Sequence, residues 1–90
     1  MDWRLFATLS EAAGTDTVSV DVRSGATVSD ALEALVAEAP PIADHVFDED
    51  GEIYEHVRIL KNGRSLDPDE LDEPVDADDE LAAMPPVSGG

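Results

Sequence analysis

Cysteine is missing from this 90-residue chain. That excludes disulfides, thiolate metal sites and a cysteine nucleophile together. No side-chain thiol is available to carry a transferable sulfur, so if the chain carries one it has to sit on the C-terminus. Basic residues are scarce: Lys and Arg number 5 against 22 Asp and Glu, for a formal net charge of −17, and Lys61 is the single lysine. Nucleic-acid binding needs a basic footprint, which this composition does not supply. Anionic membrane surfaces are disfavoured for the same reason. No apolar run approaches the ~20 residues that span a bilayer. No basic segment leads into an apolar one as a secretory signal would, so the expected compartment is the cytoplasm.

What remains is a chain that can fold. Its hydrophobic fraction is 42%, and the apolar residues are periodic, which argues against a disordered acidic tail protein. Ninety residues suit one domain with one modest core. The excess of carboxylates with little lysine reads as adaptation to a salt-rich cytoplasm. At ~1 M salt the Debye length is about 3 Å, so repulsion between surface carboxylates is largely screened.

Trp3 to Ala7 is a short mixed run that suits a first strand, and Thr8 to Ala13 has helical spacing with Gly14 as a left-handed cap. In Thr17 to Val22, Val18, Val20 and Val22 alternate with polar residues, the pattern of a half-buried strand antiparallel to the first. Thr27 opens the clearest helix. Its hydroxyl can cap, Asp30 sits three residues on, and Val28, Ala31, Leu32, Leu35, Val36 and Ala39 form one apolar face. Pro40-Pro41 closes it. Ile42 to Glu55 reads as a polar loop with a few apolar anchors. Val57 to Lys61 is a strand, Asn62-Gly63 a tight hairpin turn, and Arg64 to Leu66 the returning partner. Asp67 to Glu80 is an acidic stretch anchored by Leu71 and Val75, with a turn at Asp78-Asp79 before the last strand, Glu80 to Met84. One main helix between strands predicts an α+β fold, a mixed sheet of four to five strands with the helix packed on one face.

The chain ends Pro85-Pro86-Val87-Ser88-Gly89-Gly90. The prolines cannot donate ladder hydrogen bonds and favour a stiff polyproline-II exit, so residues 85–90 are expected to form a flexible tail leaving a domain of residues 1–84. Glycine lacks a Cβ, so a Gly-Gly tip can lie extended in a channel too narrow for other residues. A free α-carboxylate on Gly90 is ionised at neutral pH. Once an enzyme positions it, it can attack the α-phosphorus of ATP, giving an acyl-adenylate that a sulfur or amine nucleophile opens.

Three stretches carry a family resemblance over essentially the whole chain: Leu5-Phe6-Ala7-Thr8-Leu9-Ser10-Glu11-Ala12-Ala13-Gly14, the helix entry Thr27-Val28-Ser29-Asp30-Ala31-Leu32, and the Pro85 to Gly90 tail. They resemble the ubiquitin-like β-grasp sulfur carriers and modifiers, in particular the small archaeal modifier proteins of haloarchaea, with the molybdopterin synthase small subunit as a wider relative. The resemblance implies a monomeric carrier rather than a catalyst, with no bound cofactor or metal. A ubiquitin-activating-like enzyme would adenylate Gly90 with MgATP. The tail would then be joined to a lysine of a target protein, or become a thiocarboxylate that donates sulfur for tRNA thiolation or molybdenum cofactor biosynthesis. The alternative is a dedicated small subunit of molybdopterin synthase. In that relative a first-strand Phe and bulky aromatics before the prolines help dock the large subunit; here Phe6 matches, while Ala83-Met84 replaces the aromatics. Phe6 and Met84 are therefore the docking candidates.

Other constellations are weaker. Asp48, Asp50, Gly51 and Ile53 fit part of a calcium loop, but the frame places Val46 and Val57 where the first acid and the bidentate Glu belong. The segment reads as an acidic turn. His45 and His56 lack further ligands at defined spacing and read as solvated. Asp78-Asp79 reads as a solvated turn rather than an acid–base pair, and Trp3 and Tyr54 as packing residues. Lys61, just before the hairpin turn, is expected to be exposed, and as the one side-chain amine it is a possible conjugation acceptor. The salt reading has a direct check. Far-UV circular dichroism in a salt series should show the fold strengthening towards molar salt, and full folding in salt-free buffer would contradict it.

Overall fold

Alternation of side chains along the strands decides which face of the sheet is inside. In β1 (Asp2–Leu5), Trp3 and Leu5 are buried while Asp2 and Arg4 are exposed. In β5 (Glu80–Met84), Leu81 and Ala83 are buried and their neighbours are not. The computed structural model describes residues 1–54 and 57–84. Between these strands in the chain lie β2 (Thr17–Ser19), β3 (Arg58–Lys61) and β4 (Arg64–Leu66). The five strands form one sheet in the order β2-β1-β5-β3-β4. β1 and β5 run parallel at its centre; every other neighbour is antiparallel. This is the mixed sheet with one main helix that the sequence predicts.

That helix is α2 (Val28–Glu38). Thr27 Oγ1 accepts from the Asp30 N–H at 3.2 Å, and the Asp30 carboxylate accepts from the Thr27 N–H at 3.0 Å. Both halves of the capping box are present, so two otherwise orphaned N–H groups are satisfied. Val28, Ala31, Leu32 and Leu35 are buried against the sheet. The Trp3 indole crosses the core and donates to the Ala31 carbonyl at 3.0 Å, which gives the buried ring its hydrogen-bond partner.

Several expected boundaries shift, each for a local reason. β1 stops at Leu5 because Ala7 takes φ 51, ψ −125 and turns the chain into α1 (Thr8–Ala13). Gly14 ends α1 at φ 78, as expected. β2 is shorter than the Thr17 to Val22 run. The register with β1 ends at Asp2 opposite Ser19, and one further pair of hydrogen bonds joins Val20 to Met1 before the two segments part. The Pro40-Pro41 pair ends α2 but also starts a short 3-10 turn, Pro40–Ile42, that leads into α3 (Ala43–Val46). The expected polar loop therefore begins with helical turns, because Ile42 and Val46 are fully buried and draw the backbone inward. The hairpin matches its signal: Asn62 and Gly63 have φ 51 and 85, the two positive values a type I′ turn requires.

No described helix is long and apolar enough to cross a membrane. Core and cap should separate clearly in denaturant titrations in high salt. Leu81→Ala, which empties a fully buried site on the central strand, should lower unfolding free energy by about 2–5 kcal/mol. Thr27→Ala should cost about 1 kcal/mol.

Candidate functional site

Register across the sheet brings together residues that lie far apart in the chain. Trp3, Leu81, Ile59 and Leu66 face the helices, so the intervening residues face the other way. On that outer face Arg4 sits opposite Thr17 on one side and Ala82 on the other. Ala82 is opposite Leu60, and Leu60 opposite Ser65. One row thus reads Thr17, Arg4, Ala82, Leu60, Ser65. The next row holds Met84 opposite Arg58. Phe6 follows Leu5, whose parallel partner Ala83 precedes Met84, so Phe6 and Met84 stand at neighbouring strand ends.

The result is an apolar strip of Leu60, Ala82 and Met84, half-buried, flanked by exposed Arg4 and Arg58. Phe6, 40% exposed, stands at its end. On a chain of net charge −17, two of the five basic side chains border this strip, and Asp2 and Glu80 lie in the adjoining row. The two candidates named from the resemblance, Phe6 and Met84, are therefore brought together. Arg4, Arg58, Leu60 and Ala82 belong to the same surface and escape a reading by residue type. Their signal was the period of two counted outward from Trp3 and Ile59. Ala83, by contrast, points into the core and is fully buried, so its small size reflects packing and not docking.

Residues Pro85, Pro86, Val87, Ser88, Gly89 and Gly90, which carry the expected reactive end, lie outside the described residues, as does His56. Pro85 follows Met84 in the chain, so the tail continues from the central strand at the end where Phe6, Met84 and Arg58 cluster.

The opposite end of the sheet is charged and interlocked. Arg64 Nη2 donates to Glu73 at 2.7 and 2.8 Å, and Nη1 to Glu70 at 3.3 Å. The hydrogen bond from Arg64 holds the Glu73 carboxyl below the ordinary carboxylate range, and the same contact raises the Arg64 guanidinium. Asn62 donates to Asp79 Oδ1 at 2.9 Å, which with the Asp76 N–H holds the Asp79 carboxyl down. Asp78-Asp79 thus belongs to a hydrogen-bonded turn.

Lys61 departs from expectation. Its side chain is only 17% exposed, and Nζ donates to the Pro74 carbonyl at 2.9 Å and to Glu73 Oε1 at 3.4 Å. The cause is again the period of two: Lys61 is opposite Leu81 and shares the inner face with Ile59. Tyr54 also departs, being 42% exposed. It borders a cleft of about 260 Å³ beside β3 and β4, lined also by Ile53, Leu66 and Leu71. His45 is exposed. Asp48 accepts backbone N–H groups from Asp50 and Glu52 in a closed acidic turn. Among the described residues no cluster of potential metal ligands occurs.

The sequence model of the ThiS family matches residues 3–90. Small archaeal modifier protein 1 of Haloferax volcanii is 52% identical over 90 residues, covering 100% of both chains. Small archaeal modifier protein 3 of the same organism is 38% identical over 91 aligned positions, covering 100% of this chain and 98% of that one. A crystal structure of modifier protein 1 from H. volcanii aligns with a TM-score of 0.92 at 52% identity, covering 100% of this chain and 98% of the other.

Proposed function

The chain belongs to the ThiS family, among ubiquitin-like small modifiers and sulfur carriers, and from that premise we propose that it works through the α-carboxylate of Gly90. The observation that carries this is the end-to-end likeness to a small archaeal modifier protein, combined with a sequence whose last residues are Gly89-Gly90. In the proposed cycle the Gly90 carboxylate attacks the α-phosphorus of MgATP on an activating enzyme and pyrophosphate leaves. The acyl-adenylate is then opened by one of two nucleophiles. A target lysine amine gives an isopeptide bond and a sulfur nucleophile gives a thiocarboxylate; AMP departs with the electron pair of the broken C–O bond in each. This chain supplies no catalytic side chain. Its globule supplies a docking surface and its tail supplies reach, as a monomer in a salt-rich cytoplasm.

Charge supports the outer sheet face as that surface. Arg4 and Arg58 give it a local positive rim on an otherwise acidic molecule, which orients an encounter with an acidic partner. The placement of Phe6 and Met84 at neighbouring strand ends favours a second reading, a dedicated small subunit that inserts this end into the large subunit of a molybdopterin synthase. A sulfur acceptor in tRNA thiolation would use the same thiocarboxylate.

Mass spectrometry of the tagged protein recovered from its host separates the outcomes. Branched peptides carrying the tail on target lysines support the modifier role, and exchange of a terminal oxygen for sulfur supports the carrier role. Finding neither, with ATP and sulfur available, would sink both. Removing Gly89-Gly90 should abolish ATP-dependent activation while the circular dichroism spectrum and melting temperature stay unchanged. Reversing both sheet-face charges, Arg4→Glu with Arg58→Glu, should raise the KM of the activating enzyme for this chain by about tenfold without unfolding it. An unchanged KM would remove this face from the docking account.

A further inference from the structure

Two amines occur among the described residues, and both are tethered to backbone carbonyls. The ε-amine of Lys61, the one lysine of the chain, donates to Pro74 O and Glu73 Oε1 with its side chain 17% exposed. The α-amine of Met1 is part-buried and donates to Val20 O at 3.0 Å.

The tether on Lys61 is itself fixed. Arg64 Nη2 donates to both carboxylate oxygens of Glu73. The Glu73 carbonyl accepts from the Val28 N–H at 2.9 Å, and the Val75 N–H donates to Ala26 O at 2.9 Å, so Pro74 is sewn to the entry of α2 from both sides. Lys61 also lies on the inner face, opposite Leu81. Its stem packs at the end of the core while its ammonium is spent on the loop.

We propose that this arrangement makes the folded chain unable to accept its own activated C-terminus, so that it is transferred to other proteins as a single unit. The inference rests on Gly90 being a conjugated end. Isopeptide formation needs the amine nitrogen to form a bond to the Gly90 carbonyl carbon while the C–O bond to AMP breaks, AMP taking the electron pair and the amine proton passing to solvent. An amine can do this only through a lone pair aimed at the acyl group. Lys61 must first leave both partners and swing out of the sheet's inner face, an opening that carries a free-energy cost set by local unfolding. Extension of a chain on this protein therefore loses to any freely exposed lysine on a target.

The test does not depend on the activating enzyme. The folded full chain in molar salt is treated with the N-hydroxysuccinimide ester of acetic acid, and acetylation at each site is timed by mass spectrometry. Glu49→Lys, placed in the exposed acidic turn, supplies a freely accessible internal standard. Lys61 should acetylate about tenfold or more slowly than the introduced lysine, and the difference should vanish in denaturant. Glu73→Ala should recover much of the lost rate if it remains folded by circular dichroism. Equal rates at Lys61 and the introduced lysine in the folded wild-type background overturn the proposal. In host cells, Lys61→Arg should leave the pattern of conjugates unaltered, whereas Glu49→Lys should yield branched self-conjugates at the new site. Self-conjugates at Lys61 overturn the inference, whereas conjugates on no protein at all overturn the assignment of Gly90 and leave acetylation to decide the burial of the amine.

Discussion

The parallel pairing of β1 with β5 is the contact on which the architecture depends. It joins the two ends of the chain at the centre of the sheet. Parallel neighbours cannot be joined by a tight turn and need a crossover, and here that crossover contains the main helix and the β3–β4 hairpin. Closing such a long loop costs entropy that only later contacts repay. The repayment is visible in Trp3, which lies beside Leu81 in the ladder, is fully buried, and reaches α2 through Ala31. One side chain thereby ties the first strand to the last strand and to the helix.

That same pairing sets the proposed docking face beside the point where residues 85–90 follow in the chain. β5 occupies the middle of the sheet, so the chain that continues beyond Met84 starts beside Phe6 on one flank and Arg58 on the other. A partner resting on the Leu60, Ala82 and Met84 strip would have the start of the tail within its footprint. The charged network of Arg64, Glu70, Glu73 and Lys61 occupies the other end of the sheet. Four of the five basic side chains thus fall into two groups. Arg4 and Arg58 stay exposed on the outer face, while Lys61 and Arg64 secure the acidic loop that closes the far end of the core.

Much of the fold was legible in the residues. Thr27 and Asp30 specify the entry of α2, Asn62-Gly63 specifies the hairpin, and Glu80 to Met84 forms the strand their spacing suggests. These signals are local: each depends on caps or dihedral preferences within a few residues. The misplaced features depend on distant partners. Val22 alternates well enough for a strand, yet β1 offers no backbone opposite it. Ile42 and Val46 sit in a polar stretch that looked like a loop, yet their burial bends it into helical turns. Lys61 sits next to a turn, where lysines are normally solvated, yet its parity with Ile59 sends it inward.

The sequence by itself determined the lack of side-chain thiols, the acidic character, the helix and hairpin, and the Gly89-Gly90 dipeptide on which the proposed function rests, because each is a property of residue type or short-range order. Only the tertiary structure decided which residues share a surface and which are withdrawn from it. Leu60, Ala82 and Met84 became one strip flanked by Arg4 and Arg58, and the chain's one lysine became a half-buried tether, through strand register. Register is set by pairing between segments far apart in the chain, and no single segment contains that information.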